Sequence, residues 1–162
     1  MERLNPRVRV VWLFLAVVRA GIVGGFLVGA ALVLSETGLW ANSPDLLVPG
    51  AIGLAVALGL VRVVVAWRRY AVWRFEVQDD GLYIERGVFT RIKTVVPYVR
   101  VQHVDSRRSP IERATGLATV VVYTAGSRSA DVAIPGLTPE RAERLREDLR
   151  GLAIESEGED AV

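Results

Sequence analysis

Two apolar runs, Val10 to Leu34 and Leu46 to Trp67, carry a single charge each, Arg19 and Arg62. Both are longer than the roughly 20 residues that cross a bilayer's hydrocarbon core, and a fold of this size has no interior that could bury two such segments. The chain is therefore expected to be held in a membrane by a two-helix transmembrane hairpin. The spans are placed at about 10–39 and 46–67, within an N-terminal segment and anchor covering residues 1–70. The 162 residues leave room for one further small domain, expected over 71–153. An acidic tail, 154–162, is expected to be disordered. Arg3, Arg7 and Arg9 ahead of the first run resemble the start of a signal peptide. The run is too long for one, however, lacks a small-x-small cleavage site and is followed by a second span.

Charge placement gives the orientation. Arginines flank the outer ends of both spans (Arg3, Arg7, Arg9; Arg68, Arg69, Arg74), whereas the loop Ser35 to Asp45 contains only Glu36 and Asp45. The positive-inside rule then puts both termini in the cytoplasm of a multi-pass protein of the cell (inner) membrane. Trp12, Trp40, Trp67 and Trp73 all fall at or just beyond span ends, where an amphipathic ring favours the headgroup layer. Arg19 would be buried about 13 Å deep if the span began at Val10. A span from Ala16 to Leu39 lets it snorkel to the headgroups, and Arg62 can do likewise. Small residues recur every fourth position in both spans: Gly21, Gly25 and Gly29 in the first, Ala51, Ala55 and Gly59 in the second. Such stripes allow close helix approach, so these six are the expected packing residues of a tight hairpin or of a homo-oligomer. Pro49 and Gly50 are expected to bend the second helix without ending it.

After the anchor the pattern switches to period-two alternation, the mark of half-buried strands. Trp73, Phe75 and Val77 alternate with Arg74 and Glu76. Asp79-Asp80-Gly81 supplies turn chemistry, and Leu82 to Arg86 returns. Further strands are expected over Arg91–Val96, Val99–Asp105, Leu117–Thr124 and Ser129–Pro135, the last two joined across Ala125-Gly126-Ser127. Ser109-Pro110-Ile111-Glu112 reads as a capping box with Gly116 at the exit of a short helix. A final helix from Thr138-Pro139 carries Ala142, Leu145, Leu149 and Leu152 on one face. The fold class is thus an α+β membrane protein: a helical hairpin followed by an antiparallel sandwich or small barrel closed by a C-terminal helix.

The segment Val96-Pro97-Tyr98-Val99-Arg100-Val101-Gln102-His103-Val104-Asp105, continuing through Ser109-Pro110-Ile111-Glu112-Arg113 to Gly116-Leu117-Ala118 and Thr124-Ala125-Gly126, resembles the bacterial pleckstrin-homology-like (PH) domain of the YdbS-like membrane proteins. The resemblance covers roughly Val72 to Ala153 and implies a bent sandwich of about seven strands with a C-terminal capping helix. It brings no established catalytic residues.

The residues themselves offer little chemistry. Cysteine is absent, which excludes disulfides, a thiol nucleophile and cysteine metal sites. His103 is the only histidine and reads as a packed or edge residue. The serines suit turns and caps, and no Gly-rich phosphate loop is present, so no enzyme activity, metal or cofactor is expected. One feature stands out: between Arg86 and Arg113 seven basic residues face only Asp105 and Glu112. Arg91, Lys93, Arg100, Arg107 and Arg108 are the candidate residues for a lipid-facing or partner-facing surface, since a basic face beneath a bilayer attracts anionic headgroups. The aromatic interleaving of a single-strand binder is missing, so nucleic acid is not an expected partner. The expected role is a non-enzymatic binding or scaffolding module at the cytoplasmic face of the membrane. Protein assembly, with itself or with a larger PH-like membrane protein, is the first reading. Recognition of membrane lipids by the basic face is the second, and an accessory subunit of a transporter or enzyme the third.

Overall fold

The structure is a computed structural model that describes residues 1–37, 44–125 and 131–159. Trp40 and the turn at Gly126-Ser127 lie outside the described residues. The chain divides into two compact units, Trp12–Arg68 and Met1–Val11 together with Arg69–Val162.

Most of the first unit consists of two helices, α1 (Pro6–Glu36) and α2 (Pro44–Val72), each containing an 18-residue stretch of mean hydropathy 2.2 and each long and apolar enough to cross a membrane. Their large side chains, among them Phe14, Ile22, Phe26, Leu54 and Leu60, are exposed. Helix α2 continues through Pro49 as expected. The helices approach at small residues: a Cβ on Gly24 would lie 3.2 Å from Ala55 Cβ, and one on Gly59 3.5 Å from Ala20 Cβ. As the contact moves back from 24 to 20 on α1, it moves forward from 55 to 59 on α2, which is antiparallel packing. The row on α1 is therefore not the expected one. Gly21, Gly25 and Gly29 would meet nothing within 4 Å. They face one residue round the helix from Ala20 and Gly24, and a four-residue spacing cannot say which of two adjacent rows faces the partner helix.

The second unit is a sandwich of two antiparallel sheets. One has the order β1 (Glu2–Arg3), β2 (Arg74–Gln78), β3 (Gly81–Arg86), β4 (Ile92–Pro97); the other β5 (Val101–Arg107), β6 (Ala118–Thr124), β7 (Val132–Leu137). Phe75, Leu82, Ile84, Leu117, Val120, Val122 and Ile134 fill the space between them, and α4 (Pro139–Glu159) adds Ala142, Leu145 and Leu149, all fully buried. Burial of this kind contributes about 1.5–3 kcal/mol per large aliphatic side chain.

Several expectations change. Residues 1–11 do not belong with the anchor. Glu2 and Arg3 pair with Phe75 and Arg74, Leu4 and Val8 are buried, and Asn5 N–H donates to Gly136 O at 2.9 Å. The Arg141 guanidinium holds Glu2 through both carboxylate oxygens, at 3.0 and 2.7 Å. Trp73 is not a headgroup anchor but a core residue, edge-on to Phe75 at 6.4 Å. The strand expected from Val99 begins at Val101, because Tyr98–Arg100 forms a 3-10 turn pinned by the Tyr98 hydroxyl donating to Gln78 O at 2.6 Å. Strand β7 continues past Pro135, and among the described residues it ends its sheet, a position where proline is tolerated. The acidic segment after residue 153 is helical to Glu159, since Gly151 takes no cap conformation and Leu152, Ala153 and Glu155 are compatible with continued helix.

The short helix α3 (Pro110–Thr115) has the expected capping box, with Ser109 N–H donating to Glu112 Oε2 at 2.7 Å and Gly116 left-handed at its end. The buried Thr119 hydroxyl donates to the other carboxylate oxygen of Glu112, joining the cap to β6. Partial burial raises the Glu112 pKa. The hydrogen bonds from Thr119 and Ser109, with the Arg107 charge, outweigh that and hold the carboxyl below its ordinary value of 4.5. A depressed carboxylate stabilises the fold above its ordinary range and stops doing so as pH falls through the lowered value. Glu112→Gln is therefore expected to reduce thermal stability at pH 7, with the gap to the native chain closing below about pH 4.5. A pH series of melting temperatures for the two proteins checks this.

Candidate functional site

The candidate basic residues separate into groups because the two sheets take different parts of the stretch. Register aligns Arg74 of β2 with Glu85 of β3 and Glu85 with Lys93 of β4. This row, with Arg86 and Arg91, lines a cleft of about 140 Å³ whose remaining wall is Ala71 and Val72, the last residues of α2. Four cations thus surround one carboxylate. Lys93 Nζ lies 3.0 Å from Glu85 Oε1, and that hydrogen bond, with the charges of Lys93, Arg91 and Arg74, outweighs desolvation and holds the Glu85 carboxyl below its usual range. Arg91 and Lys93 are exposed beside it.

Arg100, Arg107 and Arg108 are not brought to this cleft. Arg100 closes the 3-10 turn, its carbonyl accepting from Ala125 N–H at 2.8 Å. Arg107 ends β5 opposite Thr119, and Arg108 Nε donates to Leu117 O at 3.3 Å beside α3. Arg74 stands outside the basic run in sequence. Only the pairing of β2 with β3 places it beside Lys93, and alternation within each strand gives no hint of that.

The hairpin between β3 and β4 extends beyond the same row. Arg86 and Ile92 form its last pair, and the loop 87–91 turns at Gly87, whose φ of +105° and close approach to Thr90 O admit no Cβ. At the tip, Phe89 is 87% exposed. It is the most exposed large apolar side chain described in the domain, and its place in a Gly-Val-Phe-Thr turn is the only sequence signal for it.

A second surface lies along β5, which ends its sheet and pairs only with β6 among the described residues. Its Val101, Gln102, His103 and Val104 border a groove of about 230 Å³ whose far side is Arg150, Ala153 and Ile154 of α4. Pairing with β6 is irregular between Val101 and His103. His103 is an edge residue with an exposed side chain, its Nε2 lying 2.8 Å from Asp105 Oδ1 and its ring tilted against Tyr123. Ile154 is 61% exposed at the groove mouth.

Among the described residues no three His, Asp or Glu side chains gather in a way that could hold a metal ion. In the hairpin unit, Ala55 and Gly59 of the expected packing residues take part in the close approaches, and Ala51 is half-buried. Arg19 and Arg62 are exposed on the apolar helices.

Comparison with known proteins agrees with this architecture. Residues 13–153 match the bacterial PH domain. The chain is 37% identical over 108 residues to UPF0699 transmembrane protein YdbS of Bacillus subtilis (strain 168), covering 65% of this chain and 66% of that one. It is 26% identical over 100 residues to UPF0699 transmembrane protein YdbT of the same organism, covering 57% of this chain but 20% of that longer one. No solved structure gives a significant match. With two apolar helices ahead of an antiparallel sandwich and its capping helix, and a match across most of its length, this chain belongs to the bacterial PH domain family.

Proposed function

We propose that this protein is a non-enzymatic, membrane-anchored binding module that assembles with a partner protein at the cytoplasmic face of the cell membrane. The observation that carries the reading is the edge of β5 beside the α4 groove. A free edge presents backbone N–H and C=O groups in a row, and an extended segment from a partner can add to it as a further strand. The neighbouring groove gives alternate side chains of that segment an apolar seat at Val101, Ala153 and Ile154, with Gln102, His103 and Arg150 as polar markers of register. The arginines at the outer ends of both spans support the cytoplasmic side. A second copy of the chain, or a longer membrane protein of the same family, meets the requirement of a partner in the same bilayer.

A photo-crosslinking residue at Ile154 in intact cells tests this, with Glu147 on the outer face of α4 as control. The expected result is a discrete adduct at 154, absent at 147, with a cytoplasmic or membrane protein. Adducts confined to lipid, equal labelling at both positions, or capture of an extracytoplasmic protein would overturn it.

A further inference from the structure

We propose that the β3–β4 hairpin tip is a membrane-docking element: Phe89 enters the interface of the bilayer in which the chain is anchored, while Arg74, Arg86, Arg91 and Lys93 engage anionic headgroups around it. This surface is separate from the β5 groove and does not depend on the reading of that groove.

Register carries the proposal. Strand β2 begins at Arg74, directly after the end of α2 at Val72, and runs away from that helix terminus; β3 returns antiparallel to it. Everything beyond the Arg74, Glu85, Lys93 row therefore points back toward the end of α2, and the tip can extend on the order of 10 Å past the row at strand spacing. The cleft confirms the proximity, because Ala71 and Val72 share it with Arg86 and Arg91. An apolar helix long enough to cross a membrane ends at this same place. Chain connectivity alone therefore keeps the hairpin within a few residues' reach of the bilayer that receives α2.

The chemistry of the tip suits that surface and does not suit water. At the tip a phenylalanine is 87% exposed, and the turn that presents it depends on Gly87. Ile92, 46% exposed, continues the apolar patch at the foot of the loop. At the base of the hairpin the four cations line one cleft with the single carboxylate of Glu85, a net charge of 4 − 1 = +3. An aromatic tip with a basic cleft at its base matches the layered chemistry of an anionic interface, with phosphates outside and acyl chains beneath. A protein partner would have no reason to repeat that layering.

The absence of cysteine makes a clean experiment possible. Full-length Phe89→Cys, carrying an environment-sensitive dye, is placed in nanodiscs of phosphatidylglycerol or of phosphatidylcholine, with Glu147→Cys as the control site. In anionic discs, the dye at 89 is expected to be quenched by doxyl-labelled lipid at least threefold more than the dye at 147, and to be shielded from iodide. Raising salt, or changing Arg74, Arg86, Arg91 and Lys93 to glutamine, should remove the difference. Because labelling replaces the phenylalanine, tryptic cleavage after Arg91 in the unlabelled chain supplies a second reading. It should be slowed severalfold in anionic relative to zwitterionic discs, and Phe89→Asp should restore it. Equal iodide access at 89 and 147 in anionic discs overturns the proposal. So does shielding of position 89 from both quenchers, which would mean that protein covers the tip.

Discussion

Gly136→Ala is expected to destabilise the sandwich unit by about 2–5 kcal/mol, one of the largest effects of any single-methyl change in this chain. Two costs act at one position. Gly136 has a φ of +68°, a left-handed conformation that costs an L-residue about 1–2 kcal/mol. A Cβ there would also lie only 2.6 Å from Val8 Cβ, so the new methyl must displace the N-terminal segment, an overpacking cost of about 1–3 kcal/mol. The hydrogen bond from Asn5 to the Gly136 carbonyl weakens with it. Unfolding of the detergent-solubilised chain by urea, followed through tryptophan fluorescence to which the buried Trp73 contributes, measures the loss. Val8→Gly in the same chain removes every side-chain atom that the new methyl would meet and should recover part of it relative to Val8→Gly alone, leaving the conformational share. If Gly136→Ala costs less than 1 kcal/mol, the N-terminal segment is not seated on β7 as described.

A comparably large contrast is expected between two adjacent glycines in the first span. Gly24→Leu should force the helices apart, because even a Cβ at that position lies 3.2 Å from Ala55 Cβ, while Gly25→Leu should leave the pair intact because its Cβ meets nothing. The cost at Gly24 is of the order of 1–3 kcal/mol, by overpacking. Ala20→Cys with Gly59→Cys provides the readout. Their β-carbons would stand at 3.5 Å, at the short end of the disulfide range. Oxidative crosslinking should be efficient in the parent and in Gly25→Leu and should fall severalfold in Gly24→Leu. The reverse ranking would place the Gly21, Gly25, Gly29 row inside the hairpin instead.

These two glycines show where local pattern stops being informative. The spans, the Asp79-Asp80-Gly81 turn, the capping box at Ser109 and the apolar face of α4 were legible because each is written in one contiguous stretch, as apolar run, turn chemistry, cap or period. Strand β1 was not, because two residues have no period and their partners lie more than 70 positions away. The choice between Gly24 and Gly25 depends on the rotation of one helix against another, which spacing leaves open. The basic stretch failed as a unit for a related reason. Nearness in sequence joins Arg91 to Arg108, yet the chain changes sheets between them, and the residue that does stand beside Lys93 is Arg74. Trp73 shows the opposite error: its place beside a span suggested the interface, whereas the alternation it shares with Phe75 was the signal for the core.

The seating of the first eight residues gives the folded domain a say in how the chain is threaded through the bilayer. Glu2 and Arg141 are among the first and last parts of the domain to be synthesised, separated by 139 positions, so their union waits until both apolar helices have been delivered to the insertion machinery. A chain that left its N-terminus on the far side could still fold most of the sandwich. It would forgo the burial of Leu4 and Val8, worth about 3–6 kcal/mol together, and by that amount the correctly threaded form is favoured. That is a preference of at least a hundredfold, applied after translation by the domain itself, whichever way the arginines first biased insertion.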